Sequence, residues 1–417
     1  MSDPVERFVE IAAAHARCFW LDGGGARPWS GHRSLLGWLE DDDVSLTYDA
    51  ARGEVTRHDG GGSRVVGTDV FAVLEDEMDG DEPRVHWVGY LGYASRPDLP
   101  ALVAPDAPMP DAVWMRTRHV EVFEHPEAAA GPLLPSGEAP ADVPVPEEYA
   151  AAFADVQEQL RAGNSYEVNL THRLTVESDL DPVAAYLRLR SLNPAPYAGF
   201  LQHRGRWLLS SSPERYATVD RHRVLETKPI KGTTRRGATP EEDERLRRHL
   251  ATDPKFRAEN LMIVDLLRND IGMVGEPGTV EVPVLMDVES YPSVHQLVST
   301  VRGRLRDGVT TVGALRALFP AGSMTGAPKL RTMEVIRDVE ATPRGVYSGA
   351  FGWIAGDGRA DLGVVIRSLT TAGDGTWQLG TGGGITVRSD VAEEYAESCW
   401  KADRLLRVFD RPDESTR

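Results

Sequence analysis

The sequence contains few cysteines, no long apolar segment and no concentration of basic residues. Its two cysteines, Cys18 and Cys399, lie far apart and outside any metal-ligand spacing, which argues against a disulfide framework and a zinc site and fits a reducing compartment. No apolar run approaches the roughly 20 residues that span a bilayer. The N-terminal residues show no signal-peptide pattern. We therefore expect a cytoplasmic protein that does not bind a membrane.

The chain as a whole carries an excess of acidic residues. The 417 residues carry a formal net charge of −18 at pH 7, with 41% hydrophobic and 26% charged residues, which is typical of a folded globular protein. A chain without a basic stripe is not expected to bind nucleic acid. If the ligand is an anion, positive charge must be concentrated at its site.

A proline-rich segment divides the chain. Residues 126–146 contain six prolines and many alanines, which favours a linker. We expect residues 1–125 to form a β-rich N-terminal subdomain and residues 147–417 to form the main domain. Beyond the linker, residues 206–232 read as an antiparallel meander and helices follow in blocks, which indicates an α+β fold with mostly antiparallel sheet.

Lys231 ends that meander in the segment PIKGTTRRG, residues 229–237. Pro229 excludes a helix interior, and Gly232 permits close approach of another backbone. A lysine at a strand end is about nine times in ten an ordinary surface residue. Only its neighbours in the fold can give it a chemical role.

Two glycine-containing segments invite comparison with phosphate sites. In GSMTGAPK only three residues separate Gly322 from Gly326, and Leu330 follows Lys329, so the segment is not a nucleotide-binding loop. The run Gly382, Gly383 and Gly384 is more often a tight turn, although such a run can also form a nest of N–H groups that binds an anion.

Carboxylates on two predicted helices are candidates for a metal site. Glu394, Glu397 and Lys401 share one helix face, which by itself is more often a salt-bridged solvent face. Glu259 lies among apolar residues, where a carboxylate needs a partner or a metal. Two glutamates from separate helices can hold Mg²⁺ together with waters and substrate oxygens.

Several segments occur in an order that resembles the chorismate-utilising enzymes, the family of anthranilate synthase component I. They are SSSPERY, PIKGTTRRG, FRAENLMIVDLLRNDIG, HQLVSTVRGRL, LFPAGSMTGAPKLRTMEVIRDVE, RGVYSGAFGWI and TGGGITVRSDVAEEYAESCWKADRLL. The resemblance is dense over residues 148–410. It implies antiparallel sheets packed as a sandwich with flanking helices, chorismate as substrate and Mg²⁺ as cofactor.

The resemblance also implies roles for individual residues. Glu214 matches the general acid that protonates the departing 4-hydroxyl, which requires a raised pKa. Metal ligands would be Glu259 and Glu397, with Glu394 acting through water. The residues that would bind the two substrate carboxylates and the rest of chorismate are Lys401, Ser323, Gly382, Gly383, Gly384, Tyr347, Arg367, Thr233 and His295.

Lys231 selects among the reactions of the family. Relatives that aminate the ortho position or add water usually have alanine here, whereas a lysine marks those that make 4-amino-4-deoxychorismate. In these, the amine is expected to attack ring carbon 2 as hydroxide leaves carbon 4, after which ammonia enters at carbon 4. The attack requires an unprotonated amine and so a lowered pKa. Glu167 stands where water-using relatives have lysine and many para-aminating ones have glutamine.

Ammonia is expected from a separate glutamine amidotransferase subunit, because neither cysteine lies in a nucleophile elbow. An ortho-aminating enzyme, making anthranilate or 2-amino-2-deoxyisochorismate, is the first alternative. A non-catalytic partner of an amidotransferase is the second. Supply of para-aminobenzoate to folate synthesis and to a specialised arylamine pathway are both compatible with the sequence.

Overall fold

The computed structural model describes residues 3–25, 30, 32–125, 143–291 and 294–410, so most of the predicted linker lies outside the described residues. None of the helices described here is both long enough and apolar enough to cross a membrane. The helices are α1 (Pro4–Ala14), α2 (Val70–Met78), α3 (Glu147–Arg161), α4 (Pro182–Leu192), α5 (Pro240–Thr252), α6 (Pro254–Val274), α7 (Thr311–Leu318), α8 (Lys329–Val339) and α9 (Val391–Leu406).

The strands are shared between two sheets. Those before residue 126 are β1 (Arg17–Asp22), β2 (Arg33–Trp38), β3 (Ser45–Asp49), β4 (Glu54–Asp59), β5 (Gly62–Gly67), β6 (His86–Leu91), β7 (Ala112–Thr117) and β8 (His119–Glu124). Those that follow are β9 (Glu167–Glu177), β10 (Tyr197–His203), β11 (Trp207–Ser212), β12 (Arg215–Val219), β13 (Val224–Lys228), β14 (Ile230–Arg235), β15 (Glu281–Ser290), β16 (Val294–Arg304), β17 (Gly326–Ala327), β18 (Ala350–Ala355), β19 (Ala360–Val364), β20 (Ser368–Thr371) and β21 (Thr376–Ile385).

Neighbouring strands in both sheets are antiparallel. The first sheet has the order β17-β9-β21-β20-β11-β10-β1-β2-β8. The second has the order β14-β16-β13-β12-β19-β18-β6-β7-β3-β4-β5, with β15 paired to β16. The predicted α+β class with mostly antiparallel sheet is confirmed.

The two sheets pack face to face around a shared core. Phe19 of β1 and Leu201 of β10 lie in one buried cluster with Val88 of β6 and Met115 of β7. Successive side chains of a strand point to opposite faces. Trp20, next to Phe19, therefore points outward and packs on α1 and α4. The second sheet is covered in the same way by α2, α6 and α7. The predicted sandwich with flanking helices is confirmed.

Strands from both sides of the predicted linker share both sheets. In the first sheet β1 pairs with β10, and in the second β6 pairs with β18. The division into residues 1–125 and 147–417 stays a prediction, because shared sheets do not say which segment folds alone.

The predicted meander over residues 206–232 is wrong in its pairing. Strand β11 belongs to the first sheet and β12 to the second, and the chain crosses between them at Pro213 and Glu214. Pro213 has no N–H to continue the ladder beyond Ser212. Strand β14 pairs with β16 instead of β13. The crossover places Glu214 between the sheets, near the strand that carries Lys231.

Candidate active site

One cavity collects nearly all of the predicted site residues. It lies where β9 and β21 of the first sheet approach β14 of the second, beside α6 and α9. The sequence has five lysines, and three of them line this cavity, so positive charge is concentrated there in an acidic chain. The predicted residues that line it are Lys231, Glu214, Tyr347, Arg367, Ser323, Gly382, Gly383, Gly384, Lys401, Thr233, Glu259, Glu397 and Glu394.

His295 lies outside this lining. Its ring is fully buried, with Nε2 at 3.1 Å from Asp243 Oδ1 and Nδ1 at 2.8 Å from Ser290 Oγ. Its neighbour Gln296 lines the cavity instead. Because adjacent strand residues face opposite ways, only one of the two can do so, and the sequence did not reveal which.

Lys231 is a buried residue and not an ordinary surface lysine. The residue is 8% exposed, and Nζ forms an ion pair with Oε1 of Glu167, which is fully buried. A Cβ atom added at Gly384 would overlap Glu167 Oε1 and lie 3.1 Å from Lys231 Nζ. A residue without a side chain is therefore needed at position 384 for this pair to form.

The charge state of Lys231 differs from the expectation. Burial lowers the pKa of its amine, but the nearby charges of Glu167 and Glu259 raise it further than burial lowers it. The pKa therefore lies above its ordinary value. This direction is opposite to the lowered pKa expected for an attacking amine. The sequence could not show it, because the opposing carboxylates come from β9 and α6.

Glu214 has the raised pKa that a general acid requires. Burial raises the pKa of its carboxyl to about 7, against the opposing effects of the Ser323 hydrogen bond and the charge of Lys231. Ser323 Oγ donates to Glu214 Oε1 over 2.7 Å. The backbone oxygen of Glu214 accepts from Val364 N at 3.0 Å, which fixes the crossover against β19. Near neutral pH this carboxyl can therefore both hold and give up a proton.

Three glutamates line the cavity from two helices. Oε1 of Glu259 is buried and has no hydrogen-bond partner among the described residues, and burial raises the pKa of this carboxyl to about 7. Lys255 Nζ donates to Glu394 Oε1 at 3.0 Å, and Lys401 Nζ lies 2.8 Å from Glu397 Oε1.

These glutamates do not form a closed metal site as they stand. Within the described ranges, no group of three or more His, Cys, Asp or Glu side chains converges closely enough to hold a metal ion. Lys255 was missed in the sequence, although it lies four residues before Glu259 and must share its helix face.

Arg367 supplies a free guanidinium to the cavity. It is held at a φ of 51°, and its backbone oxygen accepts from Ser211. No described residue forms a hydrogen bond or an ion pair with the guanidinium. Burial lowers its pKa to about 10, so it stays charged at neutral pH. Tyr347, also in the lining, has the Arg173 guanidinium 4.8 Å from its ring centre. This end of the cavity is suited to an anion.

The glycine run is part of a strand. Gly382, Gly383 and Gly384 lie inside β21 and pair with residues of β9, so the expected turn is wrong. Their lack of side chains lets α9 come close: Lys401 Nζ donates to Gly382 O at 2.9 Å. A Cβ at Gly383 would lie 3.3 Å from Glu394 Oε2.

Comparison with known proteins identifies a family that matches most of this chain. Residues 133–407 match the family described as chorismate binding enzyme. Aminodeoxychorismate synthase of Streptomyces griseus is 40% identical over 442 residues, which cover 94% of this chain and 61% of that protein. This chain thus spans about three-fifths of the length of that relative.

Proteins named for a different activity, anthranilate synthases, are also similar to this chain. Anthranilate synthase component 1 of Haloarcula marismortui is 44% identical over 264 residues, which cover 63% of this chain and 54% of that protein. The crystal structure of anthranilate synthase component I from Streptococcus pneumoniae is 25% identical with a TM-score of 0.75, and the match covers 92% of this chain and 93% of that one. Overall identity therefore does not select the product.

Proposed function

Because this chain belongs to the chorismate-binding enzymes, we propose that it is component I of an aminodeoxychorismate synthase, which converts chorismate and ammonia to 4-amino-4-deoxychorismate and water. The observation that carries the proposal is the amine of Lys231, buried in the same cavity as a carboxyl whose pKa is raised to about 7. The Streptomyces griseus relative, aligned over 94% of this chain, supports the same reaction.

The proposed reaction has two displacement steps. The Lys231 nitrogen forms a bond to ring carbon 2, the ring double bond shifts, and the carbon 4 to oxygen bond breaks. Glu214 gives its proton to the departing hydroxyl, which leaves as water. Ammonia then bonds to carbon 4, and the lysine leaves carbon 2 as a neutral amine. The new ammonium returns a proton to Glu214.

Substrate binding relies on the cationic side chains of the cavity. The guanidinium of Arg367, which has no partner among the described residues, is suited to forked hydrogen bonds with a carboxylate. We assign it and Tyr347 to the enolpyruvyl carboxylate. Lys401 and Ser323, with the Gly382–Gly384 strand, are assigned to the ring carboxylate. Thr233 lines the same cavity and completes the site.

The carboxylates fit the proposed Mg²⁺. Glu259 Oε1 is buried and accepts no hydrogen bond from any residue that the structure describes, and carboxylate oxygens are the ligands that Mg²⁺ prefers. Glu259 and Glu397 would hold the ion, with Glu394 acting through water. Bound Mg²⁺ would neutralise and orient the ring carboxylate. Lys255 and Lys401 pair with Glu394 and Glu397, so these lysines compete with the cation for the same oxygens.

We assign the supply of ammonia to a glutamine amidotransferase partner. The location of this protein in the cytoplasm stays a prediction. The ortho-aminating alternative is supported by the similarity to the Haloarcula marismortui protein. Lys231 favours the para product. Position 167 holds glutamate and not the lysine of water-using relatives, which disfavours water as the nucleophile. The buried Lys231 and Glu214 and the half-buried Glu259 line one cavity, which argues against a non-catalytic subunit.

The test is a product assay on the purified chain. Chorismate, Mg²⁺ and ammonium are incubated with it, and an aminodeoxychorismate lyase is then added. We expect para-aminobenzoate, and we expect Lys231→Ala and Glu214→Ala to abolish it. Absence of para-aminobenzoate overturns the proposal, and fluorescent anthranilate formed without the lyase supports the ortho alternative.

A further inference from the structure

Glu167 is the group that touches the amine of Lys231, and the proposed reaction leaves it without a role. It is the first residue of β9, where its backbone pairs with Ala327 of β17 and its backbone oxygen accepts from Ser165 Oγ at 2.8 Å. Its Oε1 forms the ion pair with Lys231 Nζ. Its Oε2 is buried and has no hydrogen-bond partner among the described residues. The carboxylate is therefore rigidly placed and keeps capacity to accept a proton.

Other carboxylates face Lys231 without touching it. They are Glu214 at the crossover, Glu259 on α6 and Glu397 on α9. The charges of Glu214 and Glu259 raise the pKa of Lys231, and the charge of Lys231 lowers the pKa of Glu397. None of them lies within ion-pair distance of Nζ among the described residues, and Glu214 is bonded to Ser323. Among the described residues, a proton that leaves the ammonium thus has one carboxylate in direct contact, that of Glu167.

We infer that Glu167 accepts the proton of the Lys231 ammonium as the amine attacks, an inference that rests on the proposed function. The N–H bond breaks, an O–H bond forms on Glu167, and the nitrogen keeps the electron pair that bonds to ring carbon 2. When ammonia displaces the lysine, the neutral amine takes the proton back from Glu167. The ion pair and the neutral pair have the same net charge, so no charge crosses the buried cavity.

A carboxylate here differs from an amide in a measurable way. With glutamate at position 167 the proton stays within the Glu167–Lys231 pair, so formation of the free amine does not depend on the pH of the solvent. With glutamine the proton must leave to solvent, and the amount of free amine then rises with pH. Glu167→Gln and Glu167→Asp separate the two cases, because only aspartate retains the acceptor.

The first test is chemical labelling of the ligand-free chain, which does not depend on the proposed function. Cyanate carbamylates neutral amines, and the five lysines can be followed individually by peptide mass spectrometry. At pH 8 we expect Lys231 in Glu167→Gln to react at least about 10-fold faster than in the wild type, because the charge that stabilises the ammonium is lost. Lys255 and Lys401, paired with other glutamates in the same cavity, serve as references. An unchanged Lys231 rate overturns the inference.

The second test is the pH dependence of kcat at constant free ammonia. We expect the ratio of the Glu167→Gln kcat to the wild-type kcat to rise with pH, because the amine of the variant must lose its proton to solvent. Glu167→Asp should keep the wild-type profile at a lower kcat. A Glu167→Gln rate within twofold of wild type from pH 6.5 to 9 overturns the inference. If the wild type forms no 4-amino-4-deoxychorismate, the proposed function fails, and the labelling result still decides whether Glu167 keeps the amine of Lys231 protonated.

Discussion

The hydroxyl of Ser323 donates a hydrogen bond of 2.7 Å to Oε1 of Glu214, the carboxyl at the crossover between the two sheets. This bond favours the ionised carboxylate and so holds the pKa of Glu214 below the value that burial alone would give. The serine therefore tunes the group proposed as general acid.

Ser323→Ala should move the pH profile of kcat. The rate falls as pH rises through the pKa of Glu214, because the acid must be protonated. Loss of the hydrogen bond raises that pKa, so the falling limb should shift to higher pH by about one unit. Ser323→Thr keeps a hydroxyl and should leave the limb in place. A limb that stays or moves to lower pH in Ser323→Ala would contradict the role of this bond.

Glu214→Gln should stabilise the folded chain at alkaline pH. The folded pKa of about 7 lies above the ordinary 4.5, so the ionised carboxylate destabilises the fold above pH 7, and this cost disappears as pH falls to 4.5. The full shift corresponds to about 3 kcal/mol, and partial solvation of the cavity should reduce the gain to about 1–2 kcal/mol. Urea unfolding of the wild type and of Glu214→Gln at pH 8 and pH 4.5 measures the difference in the free energy of unfolding. Equal stabilisation at both pH values would point to packing instead of charge.

The sequence located the chemistry of this site better than its geometry. The spacing of Glu394, Glu397 and Lys401 places them on one face of α9, since helix periodicity is a local property. The point at which the chain crosses from one sheet to the other is not a local property. The strand register that places Gln296, and not His295, in the cavity lining is not local either. The ion pair of Lys231 and Glu167 joins β14 of one sheet to β9 of the other, a contact that no spacing in the sequence encodes.

Arg367→Met should weaken chorismate binding and strengthen the ligand-free fold. The guanidinium has no partner among the described residues, so its burial costs folding free energy that a bound carboxylate recovers. We expect KM for chorismate to rise about 100-fold, which corresponds to about 2–3 kcal/mol for a charged hydrogen-bonded pair, and Tm without ligand to rise. Arg367→Lys should give an intermediate KM, because an ammonium cannot form the fork. An unchanged KM would remove Arg367 from the binding site.

Adjacent glycines of β21 should respond differently to alanine. A methyl at Gly384 would overlap Glu167 Oε1, whereas one at Gly383 would lie 3.3 Å from Glu394 Oε2, the end of a side chain that can move slightly. We expect Gly384→Ala to cost about 1–3 kcal/mol in urea unfolding and Gly383→Ala clearly less. If both cost the same, room for the Glu167–Lys231 pair is not the reason for glycine at position 384.

Mg²⁺ binding should change in opposite directions in two variants of α6. Glu259→Gln removes the proposed ligand, whose buried Oε1 has no partner in the described part of the chain. Titration calorimetry with Mg²⁺ alone should therefore show at least about 10-fold weaker binding. Lys255→Met removes the cation that holds Glu394 at 3.0 Å, and affinity should rise about 5-fold because a competing positive charge is gone. A general loss of structure would weaken binding in both variants, so opposite signs identify the ion's position between α6 and α9. Wild-type affinity in Glu259→Gln would place the cation elsewhere.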